Sequence, residues 1–369
     1  MAFDFSKITS ALSSNFKKFD MNLKHADTST IIGVDFGSSS IKVVQIKLEE
    51  VGATLETYGE LQLGPYAGFD VGRTTSIPVG KLTEAFVDIV RESAVTSKDV
   101  ALAIPFASTF SVIIPVEAPN EEALGPMMPV IARKYVPTSL NEVTLDWFRI
   151  PPKPNEEKMQ VFLAAIHHDA LEKYHGVIDN AALKTKFTEI EIFSTLRSTI
   201  AADHALTAVI DLGASASKLY IVRNGITELI HSVRTGGTEL TQTIAKELNI
   251  AFGEAEGIKR QYGIRANGPN PEAGASMHKV IDRGFRELHQ VITRFEEHGG
   301  QRVENVILCG GGAMLSGLTA YVQDRIQLTV VLADPFAKLA YPAFLEDTLK
   351  EIGPTFSVAI GAALRLLQE

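Results

Sequence analysis

The chain has 369 residues, about two and a half times a typical domain of roughly 150 residues, so two domains or one large divided domain are expected. Hydrophobic residues make up 45% and charged residues 21%, which excludes a largely disordered chain, a collagen-like fibre and a long coiled coil. Because 35 Lys and Arg side chains face 44 Asp and Glu side chains, the net charge of −9 makes nucleic acid a poor partner. The single cysteine, Cys309, can form no internal disulfide, as expected in a reducing compartment.

The first 30 residues predict an amphipathic helix followed by a linker. Five apolar residues recur at spacings of three and four, on one helical stripe: Phe5, Ile8, Leu12, Phe16 and Phe19. Such a stripe would pack on the body of the protein or on a neighbouring subunit, or it would dock on a membrane surface. The sequence contains no apolar stretch long enough for a membrane span and no signal-peptide pattern, so it predicts a protein that is neither membrane-spanning nor exported.

Residues 31–97 predict a βββα unit. Two strands, Ile31 to Asp35 and Ile41 to Leu48, flank a turn rich in Gly and Ser. A third strand follows from Ala53 to Leu63, and the spacing of apolar residues predicts a helix from Val79 to Ala94.

The same order of elements returns in the second half of the chain. Its strands and helix are predicted at Ala208–Asp211, Lys218–Arg223, Ile226–Val233 and Thr238–Leu248. An offset of 176 residues aligns Asp35 to Lys42 with Asp211 to Lys218 and matches Asp, Gly, the central Ser and Lys at once. Two distant copies indicate an internal duplication, and we expect a bilobed α/β fold with two domains that face each other across a cleft.

Residues 98–185, between the copies, predict a small inserted α/β subdomain. Its elements are expected at Ala101–Ile104, Phe110–Val116, Glu121–Tyr135, Val143–Ile150 and Met159–Ile166, the last two as a hairpin. Residues 186–369 are assigned to the second lobe, with an inserted part at about 236–302 that ends in a long helix.

The two repeated turns form the first candidate site. A turn with glycine and small neighbours leaves backbone N–H groups free to hold phosphate. Asp35 and Asp211 could hold Mg²⁺ directly or through water. The expected phosphate contacts are Gly37, Ser38, Ser39, Ser40, Lys42, Gly213, Ala214, Ser215 and Lys218. For a single copy, an ordinary hairpin with a buried, hydrogen-bonded Asp would be the better explanation of the pattern, but the repetition favours a ligand site.

A third element is the segment Val306 to Gly317, a buried-type strand that leads into Gly310, Gly311 and Gly312. Three glycines let a ligand ring approach the backbone closely. The spacing matches neither the dinucleotide-binding GxGxxG pattern nor the phosphate-binding P-loop. By themselves the glycines are therefore weak evidence.

Taken in order, two Asp-x-Gly hairpins and a strand that ends in Gly-Gly-Gly resemble the actin, Hsp70 and sugar-kinase superfamily. Within it, the chain is similar to the type IV pilus assembly protein PilM family, relatives of the division protein FtsA. The stretches that carry this resemblance are Ile32–Val43, Tyr135–Pro137, Glu142–Trp147, Ala208–Gly213, Gly236–Gly237, Ala255–Lys259 and Leu308–Gly312. The resemblance implies an actin-like, duplicated ribonuclease H-like fold with ATP and Mg²⁺ as cofactors.

The resemblance also implies roles for individual residues. Glu256 and Lys259 would contact the ribose or base, and Gly236 and Gly237 would line the cleft. The three-residue spacing of the first two also fits a surface ion pair on one helix. Glu191 matches a position where relatives carry an acid that can orient water, although a carboxylate at a helix start is equally explained by the helix dipole.

One departure from the family pattern concerns turnover. The second hairpin has Ala214 and Ala216 where active ATPases and kinases often use glycine or threonine. We therefore expect ATP binding, with weak or absent hydrolysis.

The function implied by the resemblance is that of a cytoplasmic scaffold at the inner face of the inner membrane. It would bind the cytoplasmic N-terminal tail of the membrane protein PilN, meet other pilus inner-membrane and motor components, and could form a homo-oligomer. A groove between the insert and the duplicated domain, with Val143, Leu145 and Trp147, could take the tail as an added strand or in apolar pockets, unless these residues form the core of the insert. The alternatives are a small-molecule kinase of the same superfamily and an FtsA-like division scaffold.

Overall fold

The computed structural model describes residues 30–118, 120–151, 158–201, 205–265, 271–299 and 301–368. The predicted N-terminal helix lies outside these residues. Among the helices within them, none is both long enough and apolar enough to cross a lipid bilayer.

The described residues form thirteen strands, which are numbered in chain order. They are β1 Thr30–Phe36, β2 Ser40–Leu48, β3 Ala53–Gln62, β4 Asp99–Ile104, β5 Thr109–Val116, β6 Val143–Arg149, β7 Met159–His167, β8 Lys184–Ile190, β9 Thr207–Leu212, β10 Ser217–Arg223, β11 Ile226–Val233, β12 Asn305–Cys309 and β13 Thr329–Leu332.

The α-helices are numbered in the same way. They are α1 Val79–Glu92, α2 Leu124–Ala132, α3 His168–Asn180, α4 Glu191–Thr199, α5 Gly237–Leu248, α6 Phe252–Tyr262, α7 Pro271–Gly299, α8 Leu318–Ile326, α9 Glu346–Ile352 and α10 Ser357–Ala363.

Two five-stranded sheets share one topology. The first has the order β3-β2-β1-β4-β8 and the second the order β11-β10-β9-β12-β13. In each sheet the first three strands of this order pair antiparallel, and the third, the central strand that ends at the Asp-x-Gly turn, pairs parallel with the fourth. This repeated order confirms the predicted bilobed α/β fold.

The first sheet is larger than the predicted unit 31–97. Strand β4 pairs with β1, and β8 pairs with β4, so the sequence-based boundary at residue 186 falls inside a strand of the first sheet. What remains as an insert is the three-stranded sheet β5-β7-β6 with helix α2. The reason is that parallel strands are joined by long crossovers, so neighbours in the sheet are distant in the chain.

Helices α4 and α10 pack against each other at very short range, and α10 also packs against the first sheet. A Cβ atom added to Gly361 in α10 would lie 1.7 Å from the Ser194 backbone oxygen in α4. Arg197 donates from Nη1 to the Gly361 oxygen at 2.7 Å and forms a buried ion pair with Glu189 at 2.5 Å. The C-terminal helix thus returns from the second half of the chain to the first lobe, and the close packing fixes helix α4, which begins at Glu191 in the candidate site.

Candidate functional site

The first hairpin joins β1 to β2 and places Asp35 opposite Lys42. Lys42 Nζ lies 3.5 Å from Asp35 Oδ2 and donates a hydrogen bond to Ser40 Oγ at 3.0 Å. Burial lowers the pKa of Lys42, but the carboxylates of Asp35, Glu60 and Asp211 raise it by more, and the net pKa is above its usual value. The lysine is therefore held as a cation at the base of the turn.

The second hairpin joins β9 to β10 and repeats this arrangement, with Asp211 opposite Lys218. Lys218 Nζ lies 2.9 Å from Asp211 Oδ2 and also donates to Oε1 of Glu191, the first residue of α4. The pKa of Glu191 is above its usual value, mainly because the carboxyl group is buried. The charge of Lys218 lowers this pKa but does not cancel the effect of burial, and the nearby carboxylates of Asp211 and Asp35 raise it further. Glu191 is therefore part of a buried charge cluster with the second hairpin.

The two hairpins face each other across the lobes. The pKa of Asp35 is above its usual value, mainly because the carboxyl group is buried. The charges of Lys42 and Lys218 lower this pKa, and the charge of Asp211 raises it. Two of these groups belong to the second hairpin, so the repeated turns lie close enough for their charges to interact. With their carboxyls ionised, Asp35, Asp211 and Glu191 together with Lys42 and Lys218 carry a formal charge of −1. Glu60, 3.9 Å from Lys42, adds a further negative charge.

The glycine-rich segment lies directly against the second hairpin. Gly310 has φ 80°, and a Cβ atom added to it would lie 2.3 Å from Asp211 Oδ1. A Cβ atom on Gly312 would lie 2.8 Å from that of Leu212, whereas Gly311 is exposed with open space around it. Only glycine fits at Gly310, because both the backbone angle and the contact exclude a side chain.

The start of helix α5 is joined to the second hairpin by backbone hydrogen bonds. The amide of Gly237 donates to the Gly213 oxygen at 3.0 Å, and that of Thr238 donates to the Ala214 oxygen at 2.9 Å. A Cβ atom on Gly236 would lie 2.5 Å from the same Ala214 oxygen. The predicted cleft glycines thus support the hairpin, with their close approach made possible by the missing side chains.

Glu256 and Lys259 lie on one face of α6 and form an ion pair at 2.6 Å, but the pair is buried and not on the surface. Lys259 also donates to the Gly237 oxygen at 3.1 Å and to Thr241 Oγ1 at 2.9 Å. Arg260 donates to the other carboxylate oxygen of Glu256. Burial raises the pKa of Glu256, but Lys259 and these hydrogen bonds hold it below its usual value. The pair therefore braces the start of α5 beside the hairpin.

The remaining predicted contacts lie in the two turns. The backbone oxygens of Ser38 and Ser39 accept hydrogen bonds from the amides of Thr75 and Leu63 at 2.9 and 2.8 Å. A Cβ atom on Gly37 would lie 2.9 Å from the Ser40 oxygen. Ser215, at the tip of the second turn, is exposed and free to meet a ligand.

A small cavity adjoins the second hairpin. Five glycines line it, namely Gly213, Gly236, Gly237, Gly284 and Gly312, and the rest of the lining is mainly apolar, from α5, α7 and the start of α8 with the segment before it. Its volume of about 30 Å³ corresponds to about one water molecule. The cavity is therefore too small to hold an aromatic base.

The donor set fits a nucleotide-bound Mg²⁺. Among the described residues no group of three or more His, Cys, Asp and Glu side chains is arranged to hold a metal ion. Mg²⁺ is usually bound through one or two carboxylates, several waters and the phosphates of its ligand, and Asp35 and Asp211 provide such carboxylates. A cluster with a net negative charge is also electrostatically suited to a divalent cation.

Comparison with known proteins decides the family. The family model of the type IV pilus assembly protein PilM matches residues 33–367. This chain belongs to the PilM family. A solved PilM-PilN type IV pilus biogenesis complex is similar, with a TM-score of 0.77 and 22% identity over 91% of this chain and 98% of that one.

Two further solved structures are more distant. MreB5 of Spiroplasma citri bound to ADP has a TM-score of 0.52 at 14% identity, over 93% of this chain and 98% of that one. A MamK double helical filament has a TM-score of 0.52 at 12% identity, over 92% and 99%. These likenesses confirm the predicted actin-like fold.

Some residues around the site are absent from the sequence-based prediction. Thr74 in the β3–α1 connection contacts Thr238, which is 164 residues away in the chain. Arg197 and Glu189, the buried ion pair next to Glu191, were likewise not predicted. The contact between Thr74 and Thr238 joins segments that are far apart in sequence, whereas Glu189 and Arg197 are eight residues apart and meet where β8 leads into α4.

Proposed function

We propose that this PilM-family chain is an actin-like scaffold of type IV pilus assembly that holds ATP with Mg²⁺ between its two hairpins. The observation that carries the nucleotide part is that Asp35 and Asp211, each paired with a lysine, lie close enough for their charges to interact, beside a backbone in which Gly310 leaves no room for a side chain. MreB5, which has the same fold, is described as bound to ADP.

In this proposal the chain binds and orients the phosphates and does little chemistry on them. Lys42 and Lys218 would neutralise phosphate oxygens, the serines and turn amides would donate hydrogen bonds, and Asp35 and Asp211 would hold the cation. Bound Mg²⁺ would supply charge neutralisation of the phosphates. Because Glu191 accepts a hydrogen bond from Lys218, its carboxylate is not free to act as a base, and we expect slow hydrolysis.

The same pairing argues against the kinase alternative. A small-molecule kinase needs a carboxylate base beside the acceptor hydroxyl. Glu191 is buried and paired with Lys218, and Glu256 is likewise buried and paired with Lys259, so neither carboxylate is available as that base. We therefore prefer a scaffold that binds ATP to a kinase that transfers its phosphate.

We further propose that the partner is the cytoplasmic N-terminal tail of PilN, the protein named in the related complex. The insert sheet has the order β5-β7-β6, so β6 is an edge strand. Val143 is buried, and Leu145 and Trp147 are half-buried against the core of the insert, so these side chains mainly support the sheet. The outer backbone edge of β6 would pair with an extended tail by strand addition.

The only tryptophan of the chain, Trp147, lies in this edge strand and reports on it directly. Titration of a tryptophan-free peptide of the PilN tail should change the Trp147 emission and reach saturation, because an added strand changes the solvent exposure of the half-buried indole. A scrambled peptide should leave the emission unchanged. Fluorescence titration at constant protein concentration is the measurement.

The control variant is Trp147→Phe, which removes the signal but keeps an aromatic side chain in the sheet. Binding of a dye-labelled peptide to it, followed by anisotropy, should persist. Point variants are preferred to deletion of residues 98–166, because that stretch includes β4 of the first sheet. Equal binding of the tail and scrambled peptides would contradict the assignment.

Location and assembly follow from the proposed partner. A chain that binds the cytoplasmic tail of an inner-membrane protein would sit at the cytoplasmic face of that membrane, next to other pilus inner-membrane and motor components. Homo-oligomers would be compatible with this placement.

A further inference from the structure

The connection between β3 and α1 leaves the first lobe and lies against the second. We call residues 69–75 the strap. One end is fixed to the first hairpin, because the Thr75 amide donates to the Ser38 oxygen at 2.9 Å. Just before the strap, the Leu63 amide donates to the Ser39 oxygen at 2.8 Å. The strap is therefore attached to the turn that would hold phosphate.

The hydroxyl of Thr238, in the first turn of α5, fastens the strap to the second lobe. It donates to the Gly72 oxygen at 3.1 Å and accepts from the Thr74 amide at 3.1 Å. The Thr74 hydroxyl lies 2.7 Å away. Because the single hydrogen of the Thr238 hydroxyl is used on Gly72, the Thr74 hydroxyl must be the donor in this third bond. One side chain thus makes three hydrogen bonds across the lobes.

Further contacts join the strap to α6. The Arg73 guanidinium lies over the ring of Phe69, at 5.0 Å, and over that of Phe252 in α6, at 5.2 Å. Gly72 has φ 83°, and a Cβ atom added to it would lie 2.4 Å from the carboxylate of Glu256. The strap therefore rests on the same ion pair that braces α5.

We propose that the strap is a latch between the lobes that sets how long a bound nucleotide stays in the cleft. It joins the first hairpin to the helix start that is bonded to the second hairpin. The lobes cannot move apart without loss of the Thr238 hydrogen bonds and the Arg73 stacking. This inference rests on the proposed nucleotide site. It assigns a role in nucleotide retention to the strap, which was not predicted to contact the nucleotide.

The most direct test is a reversible cross-link. In a protein that carries Thr74→Cys and Thr238→Cys, the short distance between the two native hydroxyls should allow an oxidant to form a disulfide, while Cys309 is buried and stays reduced. Protein loaded with radiolabelled Mg-ATP, then oxidised and chased with unlabelled ATP, should keep its label until a reductant is added. Each single-cysteine variant should release label under both conditions.

Hydroxyl variants test the same latch without a cross-link. Thr238→Val should speed the release of labelled ATP about 10-fold or more, since three hydrogen bonds are lost, and Thr74→Val about 3- to 10-fold. Thr238→Ser, which keeps the hydroxyl, should release label at the wild-type rate. If Thr238 acted only through general folding, the return of the hydroxyl in Thr238→Ser would not by itself restore the wild-type rate of label release.

Each remaining outcome counts against the latch. Failure of the disulfide to form would remove the strap from α5, and label release from the oxidised protein at the wild-type rate would show that the strap does not retain nucleotide. If wild type itself retains no labelled ATP in the initial loading step, the proposed nucleotide site fails, and the latch with it. That failure is recognised before any variant is compared.

Discussion

The Gly361→Ala variant is expected to lose about 3 kcal/mol or more of its free energy of unfolding, because overpacking that meets backbone atoms cannot be relieved by a change of rotamer. The added methyl group would lie 1.7 Å from the Ser194 oxygen, so α4 and α10 would have to separate. That separation would also break the hydrogen bond from Arg197 to the Gly361 oxygen. Urea unfolding followed by circular dichroism measures the loss.

The matched control is Gly176→Ala, in the middle of α3. Nothing lies within 4 Å of a Cβ atom at this position, so the substitution should be neutral or stabilise the helix by about 0.5–1 kcal/mol. A midpoint for Gly361→Ala equal to that of the control would contradict the close packing of α4 on α10.

The second large effect concerns the ligand. Saturating Mg-ATP should raise the melting temperature of the wild type, because a ligand at about 100 times its dissociation constant adds roughly 2.7 kcal/mol to the stability of the folded state. Asp211→Asn should lose this stabilisation while its ligand-free melting temperature stays near that of the wild type. The variant keeps the ion pair between Lys218 and Glu191, which holds the local structure. Thermal melting with and without Mg-ATP makes the comparison.

Two controls separate ligand binding from general effects of charge. Asp324→Asn removes an exposed carboxylate in α8 and should melt with the full ligand shift. ATP with excess chelator should give a smaller shift than Mg-ATP, because the cation links the carboxylates to the phosphates. An unchanged ligand shift in Asp211→Asn would remove Asp211 from the site.

The local part of the candidate site follows from sequence alone. Each hairpin is a strand, a turn and a strand in direct succession, so the positions of Asp35 and Lys42 opposite each other can be predicted from spacing. The second copy at Asp211 and Lys218 then indicates the duplication, and the common strand order of the two sheets confirms it.

The assembly of the lobes does not follow from the same patterns. The sequence pattern predicts a strand at Ala101–Ile104, within β4, but none at β8, and it contains no information about which strand each one joins. The return of α10 to the first lobe depends on Gly361, whose role is visible only when α4 is placed against it. Long-range contacts of this kind are set by packing, which local propensity does not encode.

Whether a charged residue is buried or exposed also cannot be predicted from the sequence pattern. Spacing places Glu256 and Lys259 on one helix face, and this fits a surface pair as well as a buried one. The structure shows a buried pair because Gly72 of the strap and Thr241 of α5 cover it. Without those distant elements, spacing alone could not separate the two interpretations.

The central claim is that this PilM-family chain holds one ATP between its two hairpins and keeps it without rapid turnover. Isothermal titration of Mg-ATP into the wild-type chain, with chromatography of the recovered nucleotide, tests both halves of the claim in one sample. The account predicts saturable binding of one ATP per chain and recovery of the nucleotide mainly as ATP. Absence of saturable binding at any Mg²⁺ concentration would contradict it.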